Sequence, residues 1–188
     1  GLPLCLFAFG QEGLALGIAY FTVLAGGQFT VGMSIAAGTL SLKRLARVPI
    51  IYAVALGVLL LVMVWELPAW LANTVGLLGG IAIPLMLIAL GVSLARLQVG
   101  GLGWGVAFSA ARLLLGFAAG WGVAEVMGLE GTARGVLILE SSMPVAVFNY
   151  LFAQRYDRAP EEVAAMVVIS TLMAFALLPL LLWYLLPA

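Results

Sequence analysis

The sequence predicts an all-α protein that crosses a lipid bilayer several times. Hydrophobic residues make up 65% of the 188 residues and charged residues only 9%, whereas about a quarter of an average soluble domain is charged. The apolar residues form continuous runs, most of them near or above the roughly 20 residues that a helix needs to cross a bilayer. Membrane β-barrels alternate apolar and polar residues instead. We therefore expect about six full transmembrane helices plus one N-terminal half-helix.

The composition also excludes several classes of function. Eight Lys and Arg residues balance eight Asp and Glu residues, so no basic surface for nucleic acid is expected. The sequence has no histidine, one cysteine (Cys5) and one aspartate (Asp157). An internal disulfide, a multi-thiolate metal site, a histidine base and a paired-aspartate protease are therefore excluded. We expect no metal and no cofactor.

The first apolar run, residues 1–9, is too short to span and ends at a polar turn predicted at residues 10–13. We interpret it as the second half of a helix whose first half precedes the chain. A full span predicted at residues 14–40 follows and contains Gln28. The later predicted spans cover residues 48–65, 75–94, 103–127, 131–153 (interrupted) and 164–186.

The distribution of Lys and Arg predicts the orientation in the membrane. Six of these residues fall on one side: Lys43, Arg44, Arg47, Arg96, Arg155 and Arg158. Only Arg134 falls in a loop on the other side. This asymmetry places the first group in the cytoplasm and the C-terminus outside. The Ala-, Leu- and Gly-rich composition favours a bacterial inner (plasma) membrane.

The span at residues 131–153 contains an unusual polar stretch. Glu140, Ser141 and Ser142 come directly before Met143-Pro144, and Asn149 follows five residues after the proline. Proline breaks or kinks a helix, and hydrocarbon tolerates unpaired backbone groups only where protein or a watery cavity covers them. Secondary transporters bind substrate at such interruptions, and intramembrane carboxylates are costly. The alternative is a proline kink whose hydroxyls bond back to their own helix.

Two charges of opposite sign fall at the same predicted depth. Arg112 and Glu140 each lie nine residues into their spans, from opposite faces, which is about 13 Å and near the middle of a roughly 30 Å core. We predict that they pair. The alternatives are a permanent structural ion pair, an Arg112 that faces an anionic substrate, and a Glu140 that carries the coupling proton. Gln28 is a secondary candidate, with bonding to neighbouring backbone as its alternative.

An internal repeat is also visible. Pro3 precedes an apolar run and a turn with Glu12, just as Pro144 precedes a run and a turn with Glu161 and Glu162. The predicted orientation makes the two copies run in opposite directions, which is typical of transporters with paired broken helices. We assign residues 1–40 to the end of a first repeat, 41–47 to a cytoplasmic basic linker, and 48–188 to a second five-helix repeat broken at 131–155. Gly116 and Gly120 fit a helix-packing motif.

These stretches give the chain a resemblance to the auxin efflux carrier family, which includes plant auxin exporters and bacterial organic-anion permeases. Met143-Pro144 followed by Phe148 and by Phe-Ala-Gln-Arg-Tyr at residues 152–156 is similar to the family's second-crossover motif. Gly1-Leu-Pro-Leu and residues 9–13 resemble the end of the first crossover. Residues 79–84 resemble the opening of the seventh helix. The matches run nearly the whole length of the chain.

The resemblance implies a ten-helix fold of two inverted five-helix repeats, related to bile-acid/sodium symporters, with substrate where the fourth and ninth helices cross. It implies a small organic anion as substrate: auxin, malonate or malate. Carried over here, Pro3 and Pro144 mark the two breaks, and Ser141, Ser142 and Asn149 lie near the substrate. The family's first three helices and the Asn-rich stretch before the first-crossover proline are not in this sequence, so we expect a C-terminal portion of the fold.

The predicted function is alternating-access transport of a small organic carboxylate, coupled to protons or sodium, with a homodimer as the expected assembly. The alternatives are a non-transporting fragment and a channel or permease subunit that needs a partner for the missing half. A membrane enzyme has only Ser141, Ser142 and Glu140 for chemistry, with no evident base for the serines. We therefore predict that the protein is not an enzyme.

Overall fold

The computed structural model describes residues 1–32, 34–35, 38, 49–63, 67–96 and 102–186. Within these ranges the chain is helical and has no strand, so the predicted all-α class is confirmed. The helices are α1 (Leu2–Gly27), α2 (Pro49–Val62), α3 (Ala69–Arg96), α4 (Leu102–Val126), α5 (Gly131–Ser141), α6 (Val147–Tyr156) and α7 (Pro160–Leu185). Among the described residues, four helical stretches are long and apolar enough to cross a membrane, and they lie in α1, α3, α4 and α7.

Helix α1 consists of two helices joined at a kink. Gly10 has φ 66° and ψ −154°, outside the helical region, and a side chain would strain this left-handed φ. The half-helix before it, residues 2–9, is therefore separate from the long helix that follows, as the sequence predicts. The predicted turn at residues 10–13 is shorter than expected, because Gly10 alone breaks the helix and the chain is helical again from Gln11.

A π-helical turn, Gln28–Gly32, follows α1 and contains Gln28. The rest of the predicted span at 14–40 lies outside the described residues, apart from residues 34, 35 and 38. The basic cluster Lys43, Arg44 and Arg47 also lies outside them.

The chain divides into two compact units. One unit comprises residues Thr22–Gly91 and contains α2 and most of α3. Helix α3 begins at Ala69, six residues before the predicted start of its span, because the Pro68 carbonyl accepts bonds from the Leu71 and Ala72 N–H groups and so extends the first turn. Pro84 lies inside this helix, as predicted.

The other unit comprises residues Gly1–Phe21 and Val92–Ala188. Helix α7 packs against α4, α5 and α6, and α4 also packs against α5. Cys5, Val136 and Leu139 form a buried core that joins α1 to α5. Large apolar side chains remain exposed on the outer faces, including Leu114, Leu115 and Trp183, which is a surface suited to lipid.

The predicted interrupted span is two helices in the structure. Helix α5 begins at Gly131 and ends at Ser141, α6 begins at Val147, and residues 142–146 between them are not helical. We call residues 142–146 the break. Pro160 and the acidic residues Glu161 and Glu162 then open α7, where proline fits the first turn and negative charge complements the helix dipole.

Candidate functional site

The break is held in place by a hydroxyl group of α7. Pro144 has no N–H to donate. The N–H of the next residue, Val145, donates to Ser170 Oγ at 3.0 Å, and both residues are buried. Ser170 Oγ in turn donates to the Val167 carbonyl at 3.3 Å. A side chain of a neighbouring helix thus accepts a hydrogen bond from a backbone N–H in the non-helical segment around the proline.

Glu140 lies against the half-helix of α1. Its carboxylate Oε1 accepts a hydrogen bond of 3.1 Å from Cys5 Sγ, and the two side chains are 8% and 0% exposed. Gly1 lies directly against the same carboxylate. The Gly1 carbonyl accepts bonds from the N–H groups of Leu4 and Cys5, so the carboxylate lies beside helical backbone as well as beside the thiol.

Arg112 reaches the break from α4, but it does not pair with Glu140. Its Nη1 donates to the Ser141 carbonyl at 3.0 Å, and the one ion pair among the described residues joins Arg134 to Glu125. The predicted charge pair between Arg112 and Glu140 is therefore wrong. The Glu140 side chain faces α1, where it meets Cys5, whereas Arg112 meets the backbone carbonyl at the end of α5.

Gly116 and Gly120 allow α4 to approach the end of α5 closely. A Cβ at Gly116 would overlap both Arg112 Nη1 and the Ser141 carbonyl oxygen. A Cβ at Gly120 would come within 2.7 Å of Ser141 Cβ and 3.2 Å of Ile138 Cα. The packing role predicted for this motif is confirmed. The close approach also brings Arg112 within hydrogen-bond distance of Ser141.

The two serines of the predicted site have different partners. Ser142 Oγ donates to the Ile138 carbonyl at 2.7 Å, so it bonds back to its own helix. Ser141 Oγ lies 3.0 Å from Tyr20 Oη and shares a hydrogen bond with it across 121 residues of sequence. The alternative of a proline kink with hydroxyls bonded back to their own helix therefore holds for Ser142 and fails for Ser141.

The remaining predicted site residues are Pro3, Asn149 and Gln28. Pro3 lies in the first turn of the half-helix, two residues before Cys5, and is partly exposed. Asn149 lies in the first turn of α6, where its N–H donates to the Ala146 carbonyl, and is exposed. Gln28 belongs to the other compact unit, residues Thr22–Gly91.

Three residues at the break were not among the predicted site residues. The sequence around Cys5 and Tyr20 gives no indication that they belong to a site, because each is one mildly polar side chain within an apolar run. Ser170 was expected to satisfy neighbouring backbone, and its bond to the Val167 carbonyl agrees with that expectation. Its second bond, to the break, depends on a contact 25 residues distant in sequence.

A cavity of about 260 Å³ adjoins the break between α4 and α7. Ser142 and Met143 form one wall, and Leu113 and Phe117 of α4 and Met173 of α7 form much of the rest. The lining is mainly apolar, with the Ser142 hydroxyl as one of its few polar groups. Space of this size next to non-helical backbone suits the apolar body of a small molecule.

The opposite end of α5 is fixed by polar contacts to three helices. Arg134 Nη2 lies 2.7 Å from Glu125 Oε1 at the end of α4 and 3.5 Å from Tyr184 Oη of α7. Thr132 Oγ1 donates to Glu12 Oε2 of α1 at 3.3 Å. The start of α5 is thus tied to its neighbours, while its other end leads into the break.

Comparison with known proteins agrees with this architecture. The sequence profile of a family described as "Membrane transport protein" matches residues 27–184. The chain belongs to this family. It is the auxin efflux carrier-like membrane transport family, so the resemblance seen in the sequence is confirmed.

Two archaeal relatives of this family match the chain almost end to end. An uncharacterized transporter of Methanocaldococcus jannaschii is 28% identical over 97% of this chain and 62% of its own length. An uncharacterized transporter of Methanothermobacter thermautotrophicus is 32% identical over 96% of this chain and 61% of its own length. The chain thus spans about three fifths of these relatives. No solved structure matches it.

Membership of the membrane transport protein family settles the broad class. The apolar helices belong to an integral membrane protein, and the names of the family and its relatives indicate a transporter rather than an enzyme. The break and the half-helix of α1 therefore belong to a protein of the membrane transport family.

Proposed function

We propose that this chain forms the substrate-translocating part of a secondary transporter for a small organic carboxylate, with the binding site at the break. The observation that carries the proposal is the contact between two discontinuous helices. The half-helix of α1 packs against the end of α5, and the buried Cys5–Glu140 hydrogen bond joins them. Transporters with paired broken helices bind their substrates where such helices meet.

The electrostatics of the break support an anionic substrate. Helix α6 begins at the break, and no side chain caps its first turn. Helix N-termini attract anions through their N–H groups and dipole. Arg112 adds a full positive charge beside Ser141.

Glu140 suits a role in coupling. It is a nearly buried carboxylate two residues before the break, close to where the substrate is proposed to bind. Two carboxylates close together repel one another, so binding of the substrate anion favours protonation or withdrawal of Glu140. A proton carried by Glu140 would then move with the substrate. Sodium as the coupling ion is the competing proposal.

The transport cycle follows from this arrangement. The break moves relative to α4 and exposes the site to one side of the membrane and then to the other. We propose a bacterial inner membrane, with the C-terminus outside, and a homodimeric assembly. The inverted repeat inferred from Pro3 and Pro144 favours an alternating-access transporter rather than a continuous channel.

The proposal predicts uphill, pH-dependent uptake. Full-length protein in proteoliposomes with an imposed proton gradient is tested with radiolabelled malonate, malate and an auxin. We expect accumulation of at least one acid above its external concentration. Glu140→Gln should flatten the pH dependence of uptake, because the exchangeable proton is lost. Glu130→Gln is the control: Glu130 precedes α5, is exposed and makes no side-chain cap bond.

Either half of this experiment can contradict the proposal. Equilibration of the acid without accumulation would indicate a channel. A Glu140→Gln variant that keeps the wild-type pH profile would remove Glu140 from coupling. Uphill uptake that is driven by a sodium gradient and unaffected by pH would show that sodium, rather than the proton, is the coupling ion.

A further inference from the structure

The Cys5 thiol is a buried hydrogen-bond donor to the proposed coupling group. Cys5 Sγ donates to Glu140 Oε1 at 3.1 Å, and this is the one side-chain hydrogen bond of either residue in the described part of the chain. The two residues belong to different discontinuous helices and are 135 residues apart in sequence. The bond therefore links the half-helix of α1 to the end of α5.

The position of the thiol is fixed by close packing. A Cβ at Gly17 would come within 3.2 Å of Cys5 Sγ, and a Cβ at Gly13 would come within 2.7 Å of the Cys5 carbonyl oxygen. Both glycines lie beyond the kink at Gly10, so the long part of α1 packs against the half-helix at Cys5. Val136 and Leu139 of α5 complete the enclosure. The sulfur has little room to move away from the carboxylate.

The other groups near Glu140 do not replace the thiol. Arg112 of α4 is directed to the Ser141 carbonyl. On α7, Ser170 accepts from Val145 and Thr171 donates to the Val167 carbonyl. On α1, Gly1 lies against the carboxylate through its backbone. Cys5 is thus the side chain that contacts the Glu140 carboxylate directly.

We infer that Cys5 is a positioning residue for Glu140: its buried thiol holds the carboxylate against the half-helix and stabilises the ionised form. This inference rests on the proposed function, because it assigns Cys5 a role in coupling. When Glu140 takes up a proton it no longer needs a donor, and the contact between the two discontinuous helices weakens. Protonation is thereby linked to movement at the break.

Cys5→Ala tests the inference through the pH profile of uptake. Loss of the donor destabilises the ionised carboxylate, so protonation occurs at higher pH. A thiol is a weak donor, so we expect the pH of half-maximal uptake to rise by about 0.5–1 unit. Cys5→Ser keeps a hydroxyl donor in a smaller side chain, so its pH of half-maximal uptake should stay below that of Cys5→Ala. Phe7→Leu is the control, since Phe7 is 75% exposed on the same half-helix.

A spectroscopic measurement separates this inference from the proposed function. The infrared carboxyl band of protonated Glu140 is identified by its loss in Glu140→Gln. In purified full-length protein, Cys5→Ala should move the titration of this band to higher pH, and Cys5→Ser should move it back. This result requires no transport. An unshifted titration in Cys5→Ala would overturn the inference, even if uptake is uphill. A shifted titration without uphill uptake would leave the inference intact and refute the transport proposal.

Discussion

Replacement of Arg112 by Gln is expected to reduce carboxylate uptake by about 10- to 100-fold. The substitution removes the charge-assisted hydrogen bond from Nη1 to the Ser141 carbonyl, and bonds to charged groups contribute about 1.5–3 kcal/mol. It also removes the positive charge that α4 presents to the break. Initial rates of uptake by full-length protein in proteoliposomes, normalised to the amount reconstituted, measure the effect.

Two further variants show whether geometry or charge matters at this position. Arg112→Lys keeps the charge but loses the planar fork of the guanidinium, so we expect an intermediate rate. Arg158→Gln removes a charge from an exposed position just after α6. We expect uptake within about threefold of wild type, because most substitutions at surface sites have small effects. Wild-type uptake by Arg112→Gln would show that Arg112 has only a structural role.

Gly116→Ala is expected to displace the break. The added methyl group would occupy space now filled by Arg112 Nη1 and the Ser141 carbonyl oxygen. One of these atoms belongs to the backbone, so α4 and the end of α5 must move apart. Overpacking of this kind costs about 1–3 kcal/mol. We expect a lower thermal unfolding temperature in detergent and at least a roughly tenfold loss of uptake, because the hydrogen bond of Arg112 is broken as well.

Gly122→Ala provides a matched control on the same helix. A Cβ at Gly122 meets no atom within 4 Å, so the same chemical change should leave both unfolding and uptake near wild type. Equal effects of Gly116→Ala and Gly122→Ala would mean that helix propensity, rather than the contact with Ser141, controls the result. Gly116→Ala with normal uptake would show that the approach of α4 to the break is dispensable.

The features that the sequence predicts well are those with a local cause. Pro144 lacks an N–H, and the helix is interrupted around it. Gly10 provides the flexible backbone that separates the half-helix, and a continuous apolar run predicts α4 to within one residue at each end. Each of these outcomes depends on a few neighbouring residues, and the physical rule can be applied without knowledge of the fold.

The features that the sequence does not predict depend on direction around a helix axis. Counting residues gives Arg112 and Glu140 the same depth, but depth does not reveal which neighbour each side chain faces. Arg112 therefore meets Ser141, while Glu140 meets Cys5. Tyr20 and Ser170 are missed for a related reason, since their partners in the α5–α6 region are 121 and 25 residues away. Packing of distant segments determines these contacts.

The central claim is that the break contains a site open alternately to the two sides of the membrane. Ala146 is exposed at the end of the break, and the most direct measurement is the labelling of Ala146→Cys by a membrane-impermeant thiol reagent, applied from each side. Cys5→Ser removes the native thiol and keeps its donor. Leu115→Cys, on an exposed apolar face of α4, is the control and should not react from either side. We expect Ala146→Cys to be labelled from both sides and to be protected by the transported acid. Labelling from neither side, or from one side whatever the substrate gradient, would contradict the account.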